Sequence, residues 1–137
     1  MLNKFHIEYC KPVSTPMITG CKLSKEDESK EVDQRIYRLM IGSLLYLTAS
    51  RPDVMQVIGQ VARFQAAPKE THIIAVKRIF KYLKGTMDFG LWYQKGNELT
   101  LIAYSDADWA GFVDDKRSTS GTTLFLSNCL VSWSSKK

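Results

Sequence analysis

The stretch Leu101-Ile-Ala-Tyr-Ser-Asp-Ala-Asp-Trp-Ala-Gly111, continued by Asp114-Asp-Lys-Arg-Ser-Thr-Ser-Gly121, decides the reading of the fold. It reads as a strand, a turn and a return strand. Successive strand side chains point to opposite faces, so Ile102, Tyr104, Asp106 and Asp108 share one face and Leu101, Ala103, Ser105 and Ala107 the other. A strand that runs apolar and then presents a carboxylate suits a divalent-metal ligand, because such a cation needs anionic oxygens on rigid backbone. Asp-x-Asp is also common in turns, and one pair does not make a metal cage. Spacing alone therefore favours a polar strand end entering a turn.

Working outward, residues 122–126 and 130–133 form a hairpin around Ser127-Asn128, and residues 89–93 and 99–106 form another around Gln94-Lys-Gly-Asn97. The expectation is an antiparallel sheet of three to four strands. Trp92, Trp109 and Trp133 are read as core or rim aromatics rather than base-stacking platforms.

Before the sheet, apolar spacing changes to three and four residues, predicting about three helices. The helix nearest the sheet runs over 69–84 and closes at Gly85 as its C′ residue. Its core stripe is Ile73, Val76, Phe80 and Leu83, flanked by Ile74, Ile79 and Tyr82, while Lys77, Arg78, Lys81 and Lys84 take another surface. Those four cations could follow a phosphate backbone. By pattern alone they are a solvated face that also complements the helix C-terminal end. His72 has no second ligand spaced for a metal and is expected to pack or cap. The middle helix has Ser50 as its cap, Pro52 and Asp53 in its first turn and Val54, Val57, Ile58, Val61 and Phe64 on one face, ending before Pro68. The first helix starts from Asp33 and carries Ile36, Leu39, Met40, Leu44 and Leu47, widened by Tyr37, Ile41, Leu45 and Tyr46. Gly42 and Ser43 would permit close approach of another helix. Residues 1–10 are a short amphipathic piece, Lys11-Pro-Val-Ser-Thr-Pro16 is extended because prolines forbid helix, and 22–33 reads as a charged, solvated linker. The organisation expected is a connector over 1–32, a helical segment over 33–86 and a sheet over 87–137, in an α+β fold.

At 137 residues with 45% hydrophobic content, the chain can build a core. Its net charge of +5 suits a nucleic-acid surface and simple solubility equally. Cys10, Cys21 and Cys129 are odd in number and lack zinc spacing, which points to a reducing intracellular compartment, cytoplasm or nucleus. No apolar run approaches the ~18 residues of a membrane span, no signal peptide is evident and no membrane partner is expected. Phosphate loops, nucleophile elbows and Ser/Cys–His constellations are absent from the sequence.

Tyr104-Ser-Asp-Ala-Asp-Trp-Ala-Gly111, Lys116-Arg-Ser-Thr-Ser-Gly121 and Val131-Ser-Trp-Ser-Ser-Lys-Lys137 together resemble the start of the ribonuclease H domain in copia-type LTR retrotransposon Pol polyproteins. Upstream, Cys10-Lys-Pro-Val-Ser-Thr-Pro-Met17, Tyr37-Arg38, Ile41-Gly-Ser-Leu-Leu-Tyr-Leu47, Ser50-Arg-Pro-Asp-Val54, Ala67-Pro68, His72 and Lys77-Arg-Ile-Phe-Lys-Tyr-Leu-Lys-Gly-Thr86 are similar to the segment between polymerase palm and ribonuclease H in the same family. The blocks follow family order along nearly the whole chain.

The resemblance implies a reverse transcriptase thumb or connection over 33–86 and the opening, incomplete part of a ribonuclease H-like fold over 87–137. It matches Asp106 to the first catalytic, metal-binding carboxylate, with Asp108 a second candidate ligand. The polymerase Tyr-x-Asp-Asp has no counterpart, since Asp114-Asp115 lacks the Tyr, and the remaining ribonuclease H carboxylates are expected beyond Lys137. Mg²⁺ belongs to the intact family; none is expected to bind this chain stably, because two-metal hydrolysis needs several carboxylates. The expected function is thus a partial retroelement product without catalysis of its own, with the rest of the polyprotein as partner. An alternative is a non-specific nucleic-acid-binding module that meets an RNA–DNA hybrid or other duplex through Lys77, Arg78, Lys81 and Lys84 on helix 69–84. A sheet lacking the helices that cover it in the complete fold implies instability or a need for a partner.

Overall fold

The computed structural model describes residues 5, 7, 9–95, 99–108, 114 and 118–136. Trp109, the rest of the turn at 110–113 and 115–117, the tip 96–98 of the expected first hairpin, and residues 1–4, 6 and 8 of the N-terminal piece lie outside the described residues. Among the described residues, three helices precede a three-stranded antiparallel sheet, an α+β architecture. The chain divides into two compact units, Met1–Phe89 and Gly90–Lys137. Among the described residues, no helix is long and apolar enough to cross a membrane.

In the helical unit, α1 (Gln34–Leu47) starts where Asp33 Oδ1 accepts the N–H groups of Arg35 and Ile36 at 2.7 and 3.1 Å, satisfying two donors that a helix start leaves open. Its buried face is Tyr37, Met40, Ile41 and Leu44. Ile36 and Leu39, expected in the core stripe, are exposed. The helix is turned so that Tyr37 goes inside, where its hydroxyl donates to Val61 O at 2.7 Å and so is not left unpaired. A Cβ on Gly42 would meet nothing within 4 Å, so the close helix contact expected there is not made within the described residues.

A 3-10 turn (Pro52–Val54) leads into α2 (Met55–Ala62). Ser50 does not cap it; its hydroxyl donates back to Leu47 O at 3.3 Å. The helix also ends earlier than expected, because α1 side chains satisfy the carbonyls of the unwinding turn. Tyr37 takes Val61 O, Arg38 Nε donates to Gln65 O at 3.2 Å, and Gln34 Nε2 donates to Ala66 O at 2.5 Å.

The third helix, α3 (Glu70–Gly85), buries His72, Val76, Ile79, Phe80, Tyr82 and Leu83. Gly85 is its last helical residue rather than the residue beyond, and Thr86 is the cap. What Gly85 permits is close approach, since a Cβ there would stand 2.9 Å from Pro12 Cβ. The charged stretch 22–33 is not a free linker. Val32 N–H donates to Pro68 O at 3.1 Å and Glu70 N–H to Lys30 O at 2.9 Å, so its backbone is paired while several of its charges stay wet.

The sheet is a meander, β1 (Leu101–Asp108), β2 (Thr119–Leu126) and β3 (Cys129–Lys136), in that spatial order. Ser127 and Asn128, at φ 49° and 67°, form the two-residue turn whose twist matches a hairpin. Residues 89–93, expected as a strand, form none. Gly90 weakens the run, and Tyr93 and Gln94 meet the start of β3 through Tyr93 Oη to Leu130 O at 3.0 Å and Gln94 N–H to Cys129 Sγ at 3.4 Å, not through a ladder. Trp92 is 83% exposed, and Trp133 is half-buried.

Candidate functional site

Alternation along β1 places Asp106 opposite Gly121 and Asp108 opposite Thr119, on the face that also carries Tyr104. The Tyr104 ring meets Phe125 edge-on at 5.8 Å. Every residue of β1 is exposed, and Gly121 puts no side chain beside Asp106. Asp106 Oδ1 accepts the Ala107 N–H at 2.8 Å, a local side-chain bond made while the pairing with β2 continues to Asp108. The two carboxylates are thus brought to one face. Among the described residues, no group of three His, Cys, Asp or Glu gathers to hold a metal. Asp106 and Asp108 alone do not fit a Mg²⁺ pair, which takes several carboxylates, and no step through such a pair follows.

On α3, Lys77, Lys81 and Lys84 fall within about 60° of one another around the axis. Lys77 is exposed and Lys81 half-buried. The other two hold the N-terminal segment. Arg78 donates through Nε to Thr15 O at 3.2 Å and through Nη2 to Thr15 Oγ1 at 2.9 Å, and Lys84 Nζ donates to Cys10 O at 2.8 Å. The four are therefore one neighbourhood but not one free stripe.

His72 packs and caps. Its Nδ1 accepts the Lys69 N–H at 3.0 Å, which leaves the proton on Nε2 to donate to Ser24 O at 2.9 Å, and its ring stacks on Phe64 at 3.8 Å.

Sequence reasoning missed a polar knot between the start of the middle helical segment and the end of α3. Arg51 grips Asp53 with both prongs, at 2.9 and 2.7 Å, and donates to Thr86 O at 3.0 Å and Thr86 Oγ1 at 2.7 Å. Tyr82 donates to Asp53 Oδ2 at 2.9 Å. The Arg51 guanidinium holds the Asp53 carboxyl below its usual range, with Tyr82 adding to the effect, while burial and then Asp53 push the Tyr82 phenol up. The knot closes the carbonyl end of α3 with a cation, as the helix dipole favours. Its signal in the sequence is Arg51-Pro-Asp53, where Pro52 and Asp53 read as a helix start and the run as a block of the family resemblance, without a partner for Arg51.

Comparison with known proteins gives the chain its relatives. No protein-family profile matches the chain, and no solved structure matches it. All 137 residues are similar to the retrovirus-related Pol polyprotein from transposon RE1 of Arabidopsis thaliana, at 44% identity, covering 9% of that polyprotein. The Pol polyprotein from transposon TNT 1-94 of Nicotiana tabacum is 36% identical over 99% of the chain and 11% of its own length. A secreted RxLR effector protein 161 of Plasmopara viticola is 41% identical over 102 residues, which cover 72% of that protein and 74% of this chain. The chain belongs to the Pol polyprotein family of copia-type retrotransposons.

Proposed function

We propose that the chain serves as the stretch of a reverse transcriptase and ribonuclease H polyprotein that joins a helical thumb or connection, residues 33–86, to the opening sheet of a ribonuclease H-like domain. Similarity along its whole length to Pol polyproteins carries this reading. In it, Lys77, Arg78, Lys81 and Lys84 meet the phosphates of an RNA–DNA hybrid or other duplex without reading bases. Arg78 donates to Thr15 and Lys84 to the Cys10 carbonyl, and a phosphate, whose hydrogen bonds are charge-assisted at both ends, would compete with those neutral oxygens. Asp106, with Asp108, would join a Mg²⁺ ligand set completed by other parts of the polyprotein. Alone, the 137 residues carry neither polymerase nor hydrolase activity. Free Cys10, Cys21 and Cys129 suit the reducing cytoplasm or nucleus.

Titration of the chain with an RNA–DNA hybrid at several salt concentrations, with Mg²⁺-dependent cleavage followed in the same tubes, tests this. Binding should weaken linearly on a log–log salt plot without cleavage, and Lys77→Glu with Lys81→Glu should flatten the slope by about 2. Affinity indifferent to salt or to these substitutions sinks the duplex contact. Cleavage that disappears in Asp106→Asn overturns the predicted inactivity.

A further inference from the structure

A groove of about 370 Å³ runs along α3 in the helical unit, between that helix and residues 13–27. That volume is at the small end of ligand sites, which span roughly 300–1,000 Å³ and are mostly apolar with a few orienting polar groups. Its wall includes Met17, Ile18, Leu23 and Ile74. Ile18 and Ile74 are 59% and 60% exposed, so large apolar side chains stand open to solvent at the groove.

Its charges are unequal, with Lys22, Arg78 and Lys81 lining it against the single carboxylate of Asp27. Asp27 is already engaged, since its Oδ1 accepts the Ser29 N–H at 2.6 Å. Arg78 is held in place by Thr15 through two nitrogens, and an arginine offers five N–H donors in all, so donors remain for a ligand. An apolar wall with a fixed guanidinium and a neighbouring ammonium selects against bare anions through the wall and against neutral or cationic amphiphiles through the charge.

We propose that this groove binds a free medium-chain carboxylate, its apolar body along Ile18 and Ile74 and its anionic head on Arg78 and Lys81. The groove shares Arg78 and Lys81 with the proposed duplex surface, but its apolar wall is its own and the test contains no duplex, so either reading can fail without the other.

The test titrates the isotope-labelled 137-residue chain with decanoate, decanol, decyltrimethylammonium and inorganic phosphate, each amphiphile below its aggregation concentration, and follows the amide signals of Ile18, Ile74 and Ala75. Decanoate should shift these signals saturably, decanol should bind about tenfold more weakly for want of a charge-assisted hydrogen bond, and the cation and phosphate should not saturate them. Ile74→Glu, at an exposed position that leaves the core intact, and Lys81→Glu should each weaken decanoate about tenfold. Equal affinity for decanoate and decanol, saturation by the cation or phosphate, unchanged affinity in both variants, or no saturable shift at all would overturn the proposal.

Discussion

Arg51 joins the start of the middle helical segment to the end of α3 through one planar group, and no other side chain can repeat its geometry. Its fork meets both Asp53 oxygens while the remaining donors reach Thr86. Arg51→Ala should lower the stability of the helical unit by about 1–2 kcal/mol, measured by urea unfolding, because it removes hydrogen bonds to charged groups that are only partly exposed. Arg51→Lys should restore only part of this, since an ammonium cannot hold two carboxylate oxygens and a carbonyl together. The carboxylates here also fix the direction of acid denaturation. Asp53 is held down chiefly by Arg51, and Asp27 is held at about 2 chiefly by Ser29, whose N–H its Oδ1 accepts at 2.6 Å, with Thr71 adding to the effect. Both folded-state values lie below the unfolded ones, so the unfolded chain takes up protons first. Stability should be full above the ordinary carboxylate range and should fall as pH drops through about 4 towards about 2. Thermal melts followed by circular dichroism across that range check this, and Asp27→Asn should make the acid dependence shallower.

At the scale of elements, α3 is the post to which the N-terminal segment is tied, by Arg78, by Lys84 and by the fit of Pro12 against Gly85. Gly85→Val should displace that segment without melting the helix, because Pro12 is the side chain that must give. The half-buried Cys10 thiol reports it. In a background lacking Cys21 and Cys129, its reaction with a disulfide reagent should speed up several-fold; an unchanged rate would mean that the segment is held by its cations alone. Much at this scale was readable in advance. Asp33, followed by apolar residues at helical spacing, marked α1, and Ser127-Asn128 marked the hairpin. The end of α2 was not readable, because it depends on Gln34, Tyr37 and Arg38 taking carbonyls that lie 24 to 32 residues away in the chain. Residues 89–93 have strand composition but form none, since a ladder needs a partner edge that composition does not supply.

For the whole molecule, burial is uneven. Among the described residues, the fully buried large side chains, Tyr37, Phe64 and Phe80 among them, lie in Met1–Phe89, whereas β1 in Gly90–Lys137 is exposed along its length. Amide exchange should therefore be slowest in α1 and α3 and markedly faster in the three strands, because local opening costs little where little apolar area is buried. Strand amides as protected as those of α3 would contradict this.

Periodicity determined the number and order of the helices and the shared face of Asp106 and Asp108, and turn residues the hairpin at Ser127-Asn128, because each depends on geometry set within a few residues. The site residues were legible as residue types, while their surroundings were not. Tertiary structure alone decided that Arg78 and Lys84 hold the N-terminal segment, that Arg51 closes α3 and that Tyr37 rather than Ile36 goes inside. Those outcomes turn on which distant carbonyl or carboxylate each polar group can reach, a quantity that neighbours in the chain do not encode.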